Sequence, residues 1–212
     1  MELVQPILIA TSGDHVVTVS CAARASVLAY VQPIMAGEPV APEWETWLGV
    51  GKSAMPTTVR AAGQGDLEAA GRWAEEKQVN HLLIKDGTNA ALALAPVQSS
   101  GIPAVVDQVS EADDDLARSD QPAPVSTATV RVEVAASLTT SRAAAQAARA
   151  LWAWAVPQLI DAPEPLAEWA RTGGVIDLAV VDALDTRDGA FIVRDQDEPT
   201  AVAIPGRLLK SV

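Results

Sequence analysis

The chain has 212 residues, 15 Lys and Arg against 27 Asp and Glu for a net charge of −12, and is 49 % apolar. That apolar share, much of it alanine, specifies a globular chain with a closely packed core and excludes a disordered one. A single cysteine, Cys21, with only His15 and His81 as histidines, excludes a disulfide framework and a zinc finger, and the negative charge makes any nucleic-acid role depend on a local basic patch.

The opening Met-Glu-Leu-Val-Gln-Pro lacks a basic export n-region, and no window supplies about 18 uninterrupted apolar residues. A soluble, cytoplasmic protein with no membrane partner is expected. Leu3 to Ala10 is an apolar run of strand length, and Val19 to Ile34 has helical spacing through Ala22, Ala23, Val27, Tyr30 and Ile34. Trp44 to Leu48 reads as helical and Pro56 to Ala62 as a strand. Asp66 to Lys77 predicts a helix, because Leu67, Ala70, Trp73 and Ala74 form one stripe and the terminal charges suit the macrodipole. His81 to Lys85 and Ala90 to Ala95 predict two strands joined by the turn Asp86-Gly87-Thr88-Asn89.

From Glu111 to Ala128 the run Asp113-Asp114-Asp115, with Pro122 and Pro124, reads as a solvated linker. Beyond it come a strand from Thr129 to Val134, a helix from Ser141 to Ile160, a helical piece at Glu168 and Trp169, and three apolar runs. Ser20 to Ala25 aligns with Ala145 to Ala150, and Glu43-Trp44 with Glu168-Trp169, both at a shift of 125 positions. Leu83-Ile84-Lys85-Asp86 likewise matches Ile192-Val193-Arg194-Asp195. The loop Asp185 to Gly189 stands where the first copy has its Asp66 to Lys77 helix. The expected organisation is a first repeat over 1–110, a linker over 111–128 and a shorter second repeat over 129–212.

The succession of a strand, a helix with a basic opening and a glutamine four residues on, a Trp-bearing helix, and a strand-Asp-turn-strand resembles type II peptidyl-tRNA hydrolases. The resemblance implies two degenerate copies, each a three-layer α/β unit with a small mixed sheet flanked by helices, fused so as to mimic a dimer. In the second copy Arg142 falls on the family's helix-opening lysine, Gln146 on its glutamine and Arg149 on its histidine. The first copy carries Val17, Cys21 and Arg24 there. The family's active turn is matched by Asp86 and Thr88 in the first copy and by Asp195 with Thr200 in the second. The implied chemistry is hydrolysis of the ester joining a peptide to the tRNA 3′ ribose, in which a cation stabilises developing negative charge. Arginine supplies the charge but cannot share a proton as lysine does. The expected roles are therefore catalytic for Arg142, Gln146, Asp195 and Thr200, with Asp86 and Thr88 as inactive equivalents, and substrate-binding for Arg24, Lys52, Arg60 and Arg149. No cofactor or metal is implied, and the partner is tRNA or, for a non-catalytic binding module on the same fold, another protein. The chain is expected as a monomer by internal duplication or as a homodimer.

Two other features carry ordinary readings. Gly49-Val50-Gly51-Lys52-Ser53 lacks the earlier glycine of a phosphate loop, since Thr46 stands there, and it follows a helix rather than a strand. The tryptophans are expected in the core or between repeats, with Trp152 and Trp154 on different sides of their helix.

Overall fold

The computed structural model describes residues 2–49, 55–107, 115–118, 128–161 and 163–209. The first half runs β1 (Leu3–Ala10), α1 (His15–Ala36), α2 (Glu43–Gly49), β2 (Thr57–Ala62), α3 (Gln64–Lys77), β3 (His81–Asp86), β4 (Asn89–Leu94), β5 (Val97–Gln98) and α4 (Ala104–Asp107). The second runs β6 (Val130–Ala135), α5 (Thr140–Asp161), α6 (Pro163–Arg171), β7 (Asp177–Val181), β8 (Phe191–Asp195), β9 (Glu198–Pro205) and α7 (Gly206–Leu209). Strand order is β2-β1-β4-β3 in one sheet, with β5 also on β1, and β7-β6-β9-β8 in the other. In both, the first strand pairs parallel with the second and antiparallel with the fourth. The protein is thus two tandem α/β units of one topology, each a mixed sheet flanked by helices.

The 125-residue shift holds along the long helices: α1 and α5 each have 22 residues, and both ends coincide at that offset. Asp14 caps α1 by accepting from the Val17 N–H at 3.1 Å, and Gly37 ends it at φ 71 with its N–H on the Ile34 carbonyl. By length and composition α1 could span a membrane. Its buried residues instead lie all round it, as a helix enclosed on every side requires. It packs on β4 and β3 of its own sheet and on α5, α6 and β7 of the other half.

His15 Nδ1 lies 2.9 Å from Thr140 Oγ1 at the N-terminal ends of the two helices, and Trp152 Nε1 donates to Ser26 Oγ at 2.9 Å midway along them. The helices therefore run side by side in the same direction. Trp152 enters a cluster of Tyr30, Trp44 and Trp47, with ring centroids 5.4 to 5.9 Å from its own, whereas Trp154 stacks edgewise on Trp169 of its own half. Trp44, Trp47, Trp152, Trp154 and Trp169 are all buried. One continuous apolar core joins the inner faces of both sheets through α1 and α5.

The outer faces of the two sheets differ. On the first, Leu8, Ala10, Leu92 and Leu94 bury against Leu67, Ala70 and Ala74 of α3. On the second, Arg131 Nε donates to Glu133 at 2.9 Å and its Nη1 meets Asp177 at 3.1 Å, while the Asp185 N–H donates to the other Glu133 oxygen at 2.9 Å. Arg187, in the loop between β7 and β8, chelates Asp185 and donates to the Leu208 carbonyl at 3.0 Å.

Candidate functional site

Each half has a corner where a hairpin turn, β3–β4 in the first and β8–β9 in the second, meets the start of its long helix. In the second half the β8–β9 turn needs positive φ at two residues, Gln196 (48°) and Asp197 (73°), and aspartate tolerates it. That turn sets Asp195 against the first turn of α5, where Arg142 Nη2 lies 3.1 Å from Asp195 Oδ2. A cation so close to a helix N-terminus is opposed by the helix dipole, and the carboxylate offsets it. Both side chains are well exposed, at 62 % and 43 %. Gln146, one turn further on, is buried and accepts from Arg149 Nη1 at 3.4 Å.

Thr200 is buried on β9, its hydroxyl donating to the Val193 carbonyl at 3.4 Å rather than meeting Arg142 or Asp195. The structure therefore pairs Arg142 with Asp195 and, one helical turn further on, Gln146 with Arg149, and gives Thr200 a partner inside its own sheet. Asp86 and Thr88 are exposed on the first half's turn. Arg24 donates from Nη2 to the Gly173 carbonyl at 2.7 Å, and Arg60 pairs with Asp107 of α4 at 3.2 Å, so neither joins Arg142. Lys52 lies outside the described residues.

The first half closes its corner with neutral groups. Asn89 Oδ1 accepts from the Asp14 N–H at 2.7 Å and from Thr18 Oγ1 at 3.0 Å, and its Nδ2 donates to the Asp86 carbonyl at 2.9 Å. Gly13, at φ 125, lies so near that a Cβ there would come 2.3 Å from Asn89 Oδ1. Sequence reasoning read Asn89 only as a turn residue; an asparagine ending a tight turn was the available signal for a side chain that ties the turn to a helix. Val17 and Cys21 occupy the positions of Arg142 and Gln146. Burial pushes the Cys21 thiol up to about 11 against the opposing pull of Arg24, so it is a core residue and not a nucleophile.

Residues 115–118 lie across the paired helix starts. The His15 N–H donates to the Ala117 carbonyl at 3.0 Å, the Leu116 N–H to Thr140 Oγ1 at 3.0 Å, and Arg118 to the carbonyls of Ala136 and, at 2.8 Å, Leu138. Burial, then the Arg118 guanidinium, holds His15 below the ordinary histidine value, against the raising pull of Asp115 and Asp14.

No group of His, Cys, Asp and Glu that could hold a metal occurs among the described residues. In comparison with known proteins, the chain matches no family model, no curated protein and no solved structure.

Proposed function

We propose that this chain is a peptidyl-tRNA hydrolase-like protein whose chemistry is confined to its second half. The observation that carries the reading is the exposed Arg142–Asp195 pair with Gln146 one helical turn away, in the order of the family's lysine, glutamine and turn aspartate. The reaction is hydrolysis of the ester between a peptide and the tRNA 3′ ribose. Arg142 stabilises the negative charge that develops on the carbonyl oxygen, and Asp195 accepts a hydrogen bond from the attacking water. Because the pair is exposed, a substrate oxygen displaces the carboxylate from the guanidinium without stranding a buried charge. The first half, with Val17 and Cys21 at the matching positions, offers an oxyanion nothing.

A second reading, a non-catalytic protein-binding module on the same scaffold, draws on the same pair. Arg142 stands where the family has its lysine, and Asp195 is already matched by it. Hydrolysis of a labelled peptidyl-tRNA by the purified chain, beside a known type II enzyme, separates the two. Turnover is expected, lost in Arg142→Ala and Asp195→Ala and largely kept in Asp86→Ala. Equal loss in a folded Asp86→Ala variant overturns the assignment, and no turnover together with no tRNA retention on a filter at low salt selects the binding module.

A further inference from the structure

Among the described residues, strand β8 is the terminal strand of its sheet and is hydrogen-bonded to β9 alone. Its other edge therefore offers unpaired backbone N–H and C=O groups, a template that an added strand completes. Beside that edge runs a groove of about 340 Å³ between α5 and β8, lined by Arg149, Ala153, Ala190, Phe191, Val193 and Arg194. At Phe191 it meets a second cavity of about 480 Å³, which continues past Trp154, Pro157 and Gln158 toward the far end of α5. The groove forms a trough alongside the open strand edge, and the second cavity touches it at Phe191 before turning past the end of the sheet at Pro205 and Thr129.

We propose that this trough is a docking site for an extended peptide segment of a partner protein, paired with β8 and bearing a carboxylate that meets Arg194. Charge selects the occupant. Arg194 Nη1 donates to the Asp197 carbonyl at 2.8 Å, and among the described residues no carboxylate pairs with its guanidinium. Arg149, already engaged with Gln146, adds a second positive charge on the facing α5 wall. The second cavity is lined by both Asp161 and Arg207, whereas the groove beside the edge is lined by Arg149 and Arg194 with no carboxylate among its described residues, so the peptide carboxylate belongs at the Arg194 end. A nucleic acid fits less well, because a phosphate on every nucleotide meets a molecule of net charge −12.

A second copy of this chain also fits poorly. The edge strand has five residues, ends in Arg194 and Asp195, and breaks register between Val193 and Arg194, all of which oppose open-ended pairing of identical edges. In the first half Arg24, the counterpart of Arg149, is instead tied to the Gly173 carbonyl. The proposal does not depend on hydrolysis and holds for either reading of the function.

The test is fluorescence anisotropy with the full-length chain and three labelled probes: an octapeptide of alternating valine and threonine with one glutamate, the same peptide with lysine for glutamate, and an oligothymidylate of similar length. The glutamate peptide is expected to bind at least tenfold more tightly than the other two. Arg194→Glu should cancel or reverse that preference, and Ala190→Trp, which fills the groove from a loop position, should weaken binding at least tenfold, with melting temperatures close to the parent in both. Amide hydrogen exchange should slow across residues 190–194 when the glutamate peptide is bound. Equal binding of both peptides, tighter binding of the oligonucleotide, or protection elsewhere than β8 overturns the proposal.

Discussion

The outer faces of the two sheets solve one problem with opposite chemistry. Where β1 places Leu8 under α3, the equivalent position of β6, 125 residues on, is Glu133. The first face is closed by aliphatic contact, which needs only volume and a helix to supply it. The second has no counterpart of α3 among the described residues, and Glu133, whose side chain is 7 % exposed, is matched by Arg131 of its own strand and by the Asp185 N–H of a loop. Strand order and pairing are the same in both halves, so the sheet topology does not depend on how its outer surface is covered. What the ionic cover requires is completeness, because each buried oxygen must find a donor. Glu133 meets that requirement with Arg131 on one oxygen and the Asp185 N–H on the other.

The largest effect that tests this contrast is loss of the ionic cover. Glu133→Ala leaves Arg131 and Asp185 with unmatched groups and is expected to cost about 3–5 kcal/mol in urea unfolding. The triple change Arg131→Met, Glu133→Leu, Asp177→Leu should recover most of that loss, as an apolar face of similar volume does. On the other side Leu67→Ala opens an aliphatic cavity and is expected to cost about 2–4 kcal/mol. If Glu133→Ala were as mild as a surface substitution, the second face would not be held by its charges.

The two corners give a smaller difference. Asn89→Ala strips partners from the Asp14 N–H and the Thr18 hydroxyl and is expected to cost about 1–3 kcal/mol, whereas Arg142→Ala removes an exposed pair and should change stability by less than about 1 kcal/mol. Equal costs at both corners would mean that the second corner is structural rather than free for chemistry.

The smallest effect is a pH dependence at the point where the halves meet. His15 titrates below its unfolded value near 6.5, so the unfolded chain takes up the proton first as pH falls. Its contribution to stability is therefore complete above about pH 6.5 and is lost as pH falls from there through the lower folded value. His15→Asn, which can keep a bond to Thr140, should flatten unfolding free energy between pH 7 and 5. A slope unchanged in that variant would place the titration elsewhere.

Much of this architecture was legible in the chain itself. Leu3 to Ala10 is a strand with the predicted bounds, and the Asp66 to Lys77 helix begins only two residues earlier than its stripe suggested. The helix predicted from Val19 begins at His15, because Asp14 supplies the cap that apolar spacing alone does not mark. Trp152 and Trp154 separate to the two sides of α5 as their spacing demands, one to each half. The family resemblance put Arg142 and Asp195 in one candidate site, but their direct ion pair could not be read from spacing, since 53 residues separate them and a turn with two positive φ values sets the approach. Nor could the network around Glu133: alternation put a glutamate in a strand, but whether it faces water or buried arginine depends on a loop some 50 residues away.

The shared aromatic cluster has a consequence for how the chain is made. Tyr30, Trp44 and Trp47 come off the ribosome early, but the ring that covers them, Trp152, follows roughly 100 residues later, which at about 5–20 residues per second is roughly 5–20 s of synthesis. During that interval the nascent amino-terminal half holds two indoles that touch each other but still lack Trp152, and its longest helix lacks the neighbour against which one side must close. Until then the apolar surface that α5 covers stays open. A fragment that stops before α5 should be sticky and poorly soluble, even though its own sheet has every strand it needs.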